Sequence, residues 1–347
     1  MVKGPVHRGR AVSSVGQAKW RSGDVMRFLT TLLSIALTCF VGEVAAQPAA
    51  WPTKPLRLVL GYPAGGGADS VVRVFTAGME KALGQPIVID YRPGAGATLA
   101  AENAARSPAD GYTMHYVDSA PLTITPHLRR LPYDPLASFA AVSLVVRGGY
   151  VLVGHPSVGV DSLRTLVELA KAKPGTISYG SAGIGGSGHL SGELMAAVTG
   201  ARMVHVPYKG GAQAMADLIG GQVQLLFASA PTAVPQIQSG KIRAFAVTVP
   251  KRIAALPDVP TFAEQGYPDY EASVWFAMVM PIGTPPDIVT RVREALVSAL
   301  AAPSVADAIR KQGYEAETST PEALNALIHS EYQKWGRVIR EANIRQD

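Results

Sequence analysis

The sequence predicts an α/β protein of two lobes, each a mainly parallel sheet flanked by helices. Three features carry that prediction. From Leu56 onward the chain repeats a short β-branched or apolar run, a glycine-rich turn, and a helix with alanine and leucine three and four residues apart. Strands alternating with helices of this length specify parallel pairing, because each crossover lays a helix across a face of the sheet. The last third of the 347 residues changes to long amphipathic helices, and the chain is long enough for two domains.

Strands are expected over residues 56–62, 86–91, 112–117, 177–181, 203–207, 223–228 and 244–249. Helices fall between them at 69–83, 162–173, 189–199 and 212–219. The C-terminal part reads as helices over 285–301 and 321–342 joined through a short strand at 314–317, an ending that packs back on the first lobe. The glycine pair Gly148 and Gly149 and the stretch 273–275 are the hinge candidates, where the chain crosses between lobes. That divides the chain into a first lobe of residues 51–149 plus 274–347 and a second of residues 150–273.

Residues 1–46 stand apart as a leader. Met26 and Arg27 introduce an apolar run over 28–41, followed by Val44, Ala45 and Ala46. That order of charge, apolar core and small residues is a secretory signal peptide, with cleavage after Ala46 and a mature start at Gln47. An uncleaved anchor is the alternative, and the run is short for a bilayer span. Lipidation at Cys39 is not expected, since Thr38 and Ala36 stand where a small residue and a leucine are required.

Charge and cysteine follow from the leader. Removing its six Lys and Arg and two acids from the totals of 32 and 26 leaves 26 and 24, so a net charge of +6 falls to +2. A nearly neutral mature surface gives no electrostatic case for nucleic acid and holds no basic cluster for a membrane surface. Cys39 is the single cysteine and leaves with the leader. The expected compartment is the periplasm, in which a chain of this size needs no disulfides.

Two turns hold most of the functional information. Tyr62-Pro63-Ala64-Gly65-Gly66-Gly67-Ala68-Asp69 follows the first strand, and Ser181-Ala182-Gly183-Ile184-Gly185-Gly186-Ser187-Gly188-His189 follows the strand ending at Ser181. Each lies at the carboxyl end of a strand and opens a helix, where glycine admits close approach and free N–H groups face an anion. Arg92-Pro93-Gly94-Ala95-Gly96-Ala97 repeats the chemistry more weakly. Facing each other, the first two turns hold both ends of one small acid without an arginine. Tight strand-to-helix turns alone are the bland alternative.

Rival chemistries lack their second elements. Gly183, Gly185 and Gly188 match the dinucleotide fingerprint, yet the next strand ends Val206-Pro207-Tyr208-Lys209 rather than in an acid. Ala68 and Asp69 stand where a P-loop needs Lys and Ser or Thr. Neither Ser181 nor Ser187 has the spacing of a nucleophile elbow. His189 and Glu193, four apart, fit two metal ligands or an ordinary turn contact with a surface pair; His205 fits a satisfied core histidine. Trp275 and Phe276 wall a pocket at the hinge or pack in the core. No catalytic residue, metal or cofactor is expected.

The ordered set Trp51-Pro52-Thr53-Lys54-Pro55, the Tyr62 turn, Tyr91-Arg92-Pro93-Gly94-Ala95-Gly96, Ala109-Asp110-Gly111-Tyr112-Thr113, Leu131-Pro132-Tyr133-Asp134-Pro135, Tyr179-Gly180-Ser181-Ala182-Gly183, His205-Val206-Pro207-Tyr208-Lys209-Gly210 and Leu256-Pro257-Asp258-Val259-Pro260-Thr261 resembles the substrate-binding receptors of tripartite tricarboxylate transporters, the Bug receptors. The resemblance spans nearly all of the mature chain. It implies a periplasmic-binding-protein-like (type II) fold and a monomer that closes on a small carboxylate and passes it to a two-component membrane permease. A sensor for a signalling partner and a nucleotide-dependent enzyme are the alternatives. The family's ligand contacts carry over to the turns from Ala64 to Asp69 and from Ser181 to His189. Tyr62, Tyr208, Ala228 and Ser229 join them as candidates. Family members often have Pro and Thr where this chain has Ala64 and Ala68, and Asp and Asn where it has Ala228 and Ser229. Asp118, with Ser119 beside it, stands where a small neutral residue is commoner. It either caps the helix at Pro121 or takes part in recognition, repelling a second acid group and attracting an ammonium or hydroxyl.

Overall fold

The computed structural model describes residues 51–341 together with Met1 and Ile344; the expected signal peptide and cleavage site lie outside the described residues. The first βα units form as the apolar periodicity predicts. Strand β1 (Leu56–Leu60) lies between β2 (Ile87–Tyr91) and β3 (Thr113–Asp118), all parallel. Helix α1 (Gly67–Leu83) connects β1 to β2 and buries Val71, Val72, Phe75 and Met79 along one stripe. Helix α2 (Thr98–Ala105) leads into β3, and the single-turn α3 (Ala120–Thr123) follows it.

A second parallel group comprises β5 (Ser178–Ser181) between β6 (Val204–Pro207) and β7 (Leu225–Ser229). Its helices are α4 (Leu163–Ala172), α5 (Ser187–Thr199), α6 (Gly211–Ile219) and α7 (Ala230–Gln238).

Joining the groups are two strands that the sequence reading did not anticipate. β4 (Phe139–Gly154) runs sixteen residues, pairing antiparallel to β9 (Ser273–Pro281) as far as Gly149 and to β7 and β8 (Arg243–Val247) from Tyr150 onward. β9 in turn pairs antiparallel to β3, so the strand order is β2-β1-β3-β9-β4-β7-β5-β6. The sheet is therefore parallel in its outer strands and antiparallel where the chain passes between them. Both joining strands are buried on two faces and show no polar alternation, which is why period-two patterning did not reveal them.

The hinge candidates lie inside these strands. Gly148 lies against the Tyr314 ring, and a Cβ at Gly149 would sit 2.7 Å from Val249 Cγ1. Close approach of side chains to the backbone thus accounts for both glycines without any unusual dihedral angle. The C-terminal helices α8 (Pro286–Leu300) and α10 (Pro321–Glu341) return to the first group, as expected, and between them lies a helix that the sequence reading did not anticipate, α9 (Pro303–Lys311). Gly78 of α1 meets Ala299 of α8, where a Cβ would approach to 2.8 Å, and Trp335 and Ile339 of α10 pack on Ala120 and Ile124. The short strand β10 (Tyr314–Ala316) adds to the edge of β4.

Candidate functional site

The two glycine-rich turns are one loop built twice. Gly65 and Gly185 both take left-handed angles, φ +77° and +75°. Gly66 and Gly186 are extended at φ −82°, ψ 171° and φ −80°, ψ 164°. The Gly66 amide donates to Pro63 O at 3.4 Å, and the Gly186 amide to Gly183 O at 3.3 Å. Left-handed backbone at the second position is what requires glycine, since a side chain there clashes with its own carbonyl.

Each turn is propped by the third residue of its helix. The Gly65 amide donates to Asp69 Oδ2 at 2.9 Å, and the Gly185 amide to His189 Nδ1 at 3.3 Å. Asp69 also accepts from Tyr91 Oη at 2.7 Å and from Arg73 Nε at 3.0 Å. Burial opposes its charge, but these donors prevail and hold its carboxyl below the usual range. Accepting at Nδ1 makes His189 a neutral ring with its proton at Nε2, 3.7 Å from Glu193 Oε1. Burial depresses its pKa while Glu193 opposes. Tyr179 Oη donates to Glu193 at 2.6 Å, so the His189–Glu193 spacing serves turn and helix packing. His205 stacks 4.1 Å from His189 and bonds Ser181 Oγ at 2.7 Å, and burial followed by the neighbouring His189 lowers its pKa to about 3. It is the satisfied histidine expected, and Ser181 is spent on His205 and on Gly183.

With Asp69 and His189 turned back, the helix starts present backbone. Among the described residues the amides of Gly67, Ala68, Ser187 and Gly188 make no bond within the protein, as the first turn of a helix dictates. Ser187 adds a hydroxyl that is buried and unpartnered, close to the Tyr150 phenol but without a bond of normal geometry. Ala64 and Gly65 form the exposed outer tip of the first turn.

A cavity opens at the start of α1, lined by Tyr62, Gly66, Gly67, Ala68, Ala182 and Ser229 among the candidates, so that the second turn contributes Ala182 and its residues Ser181, Gly183, Gly186, Ser187 and His189 are not in the lining. Sequence reading missed Pro63, Tyr150, Gly211 and Phe227 as lining residues. Phe276 does wall it, stacked on Tyr116 at 4.9 Å, whereas Trp275 faces the opposite side and packs with Val117 and Phe139 in the core. Ala228 is buried in β7, one residue before the Ser229 hydroxyl that bonds Thr232 Oγ1 at 2.9 Å. Tyr208 turns to Asp217, and burial followed by that carboxylate raises its phenol to about 12. Asp118, 1% exposed, accepts the Tyr62 hydroxyl on Oδ2 and the Ala120 amide on Oδ1 at 3.0 Å. Ser119 starts α3 with its hydroxyl buried and unpartnered.

The third turn meets the second directly across the opening. A Cβ at Gly96 would lie 2.8 Å from Ile184 O and 3.1 Å from Gly186 N, and Thr125 Oγ1 donates to Gly185 O at 2.9 Å. On the first turn, a Cβ at Gly67 would lie 2.6 Å from Ser229 Oγ, and one at Gly210 would lie 2.6 Å from the Pro63 ring. The cavity is closed down to about 30 Å³, room for about two water molecules.

The sequence profile described as tripartite tricarboxylate transporter family receptor matches residues 71–344. Protein BugT of Bordetella pertussis is 36% identical over 318 residues, covering 90% of this chain and 98% of its own. The solved structure of the periplasmic binding protein BugD superposes with a TM-score of 0.82 at 33% identity, over 86% of this chain and 100% of that one. A Rhodopseudomonas palustris protein, Rpa4515 with adipate, gives a TM-score of 0.82 at 34% identity, over 85% of this chain and 99% of that one. The fold is that of the two-lobed periplasmic binding proteins, and the chain belongs to the tripartite tricarboxylate transporter family of receptors.

Proposed function

We propose that this chain is a periplasmic receptor without catalytic activity that captures one small organic carboxylate between its two glycine-rich turns and delivers it to a two-component membrane permease. One lobe comprises residues 51–149 and 274–347, the other residues 150–273. The repeated turn carries the reading: two helix starts of the same geometry leave four amides and the Ser187 hydroxyl without a partner among the described residues, and Gly67 and Ala68 of the first line the cavity. Four hydrogen bonds to a carboxylate, at about 1.5 to 3 kcal/mol each, cover the roughly 8 kcal/mol of micromolar binding before ordering costs. The structure neighbour with adipate supports a carboxylate, and the family supports the permease. A cavity of about 30 Å³ admits no such acid unless the lobes part, so capture is coupled to opening and closing.

Calorimetric titration of the mature protein with mono-, di- and tricarboxylates, aromatic acids and amino acids tests this. One-to-one binding of at least one acid, with compaction in small-angle scattering, is expected. Failure of every acid to bind would overturn it.

A further inference from the structure

The wall of the cavity carries a polarity that the turns do not explain. Asp118 uses Oδ1 as the cap of α3, a role that a neutral Asn performs equally well. Oδ2 is committed to the Tyr62 hydroxyl, and the Tyr62 ring lines the cavity. A carboxylate can only accept, so the phenol proton belongs to that bond. What Tyr62 offers the cavity is therefore an oxygen lone pair, made more negative by the acid behind it. The charged or polar groups acting on this corner are Asp118, Tyr62, Tyr116, Tyr150 and Tyr314, with the Ser187 and Ser229 hydroxyls beside the last two, and no Lys, Arg or His is among them or among the lining residues.

We propose that the Asp118–Tyr62 pair determines specificity: the receptor takes a small monocarboxylate bearing a hydroxyl or ammonium donor at the end away from the free helix-start amides, and rejects a second carboxylate there. This rests on the reading of the cleft as a carboxylate site. A donor at that end bonds the Tyr62 oxygen. An apolar end leaves that oxygen dry and unbonded. A second carboxylate is desolvated against a lone pair and a buried acid with no cation to offset it. The same geometry makes a specific statement about Asp118→Asn. The amide keeps the cap through its oxygen and donates its NH2 to Tyr62, which turns the phenol proton toward the cavity and reverses the polarity of the wall.

Calorimetry on wild type, Asp118→Asn and Tyr62→Phe with butyrate, 4-hydroxybutyrate, 4-aminobutyrate and succinate, with three- and five-carbon homologues of each, reads this directly. In the wild type a donor-bearing acid should bind about tenfold tighter than its apolar homologue, one hydrogen bond's worth, and the dicarboxylate weakest. In Asp118→Asn the order of donor and dicarboxylate should invert, and in Tyr62→Phe the preference for the donor over the apolar acid should vanish while the apolar acid still binds and the dicarboxylate, still facing Asp118, stays weakest. A structural cap alone would lower all affinities together and leave their ratios unchanged, which would overturn the proposal. So would a dicarboxylate that binds the wild type as tightly as the hydroxy acid. Binding of no acid at all would remove the carboxylate site itself, and the proposal with it.

Discussion

Gly210→Ser separates folding from closure. Gly210 starts α6 with φ −177° and ψ 162°, extended backbone that any residue adopts. A serine there has the geometry of a helix cap, worth about 0.5 to 1 kcal/mol, so the variant should fold with an unchanged or slightly raised Tm. Its Cβ, however, would sit 2.6 Å from Pro63 Cδ and 2.7 Å from Pro63 Cγ, across the cavity in the first turn. The proline ring cannot rotate out of the way, and overpacking of this kind costs about 1 to 3 kcal/mol. That penalty falls on the closed form alone and corresponds to Kd values about 5- to 150-fold weaker. Calorimetry with whichever acid binds the wild type measures it, and Pro63→Ala in the same chain should restore much of the loss as a coupled pair. Unchanged affinity in a folded Gly210→Ser would refute the claim that the Pro63–Gly210 contact belongs to the liganded state.

Three further outcomes are expected. Ala95 is exposed and held at φ +49°; Ala95→Gly relieves left-handed strain of about 1 kcal/mol, and thermal melts should show a rise in Tm, a fall arguing against the strain. Burial raises the Asp118 carboxyl to about 6, outweighing its bonds to Tyr62 and Ala120. Its contribution to stability is therefore full below the unfolded value near 4 and lost as pH rises through 6. Shifts of this size amount to about 3 kcal/mol, so urea melts between pH 4 and 7 should show a decline in wild type that Asp118→Asn lacks. Protein recovered from the periplasm should begin at Gln47, and N-terminal sequencing giving residue 26 or earlier would contradict the signal peptide.

The local chemistry was legible in the sequence. The parallel βα units, both glycine-rich turns and the returning C-terminal helices follow from periodicity and glycine placement over a few residues, and each formed within a residue or two of its expected bounds. What stayed hidden depends on contacts between residues far apart. β4 and β9 show no alternation because both faces are buried, so only pairing reveals them as the strands that join the two halves of the sheet. Asp69 and His189 carry the side chains that a reader expects to touch a ligand, yet both fold back onto Gly65 and Gly185, since an amide four residues upstream is within reach of the third helical position. The cavity wall comes from Tyr150, Phe227 and Phe276, on three strands that no spacing links. Chain-local preference determined that one glycine-rich turn is built twice, each opening a helix with free amides. Packing of the crossing strands decided which residues meet across the cavity, and that Asp118 stands buried behind Tyr62.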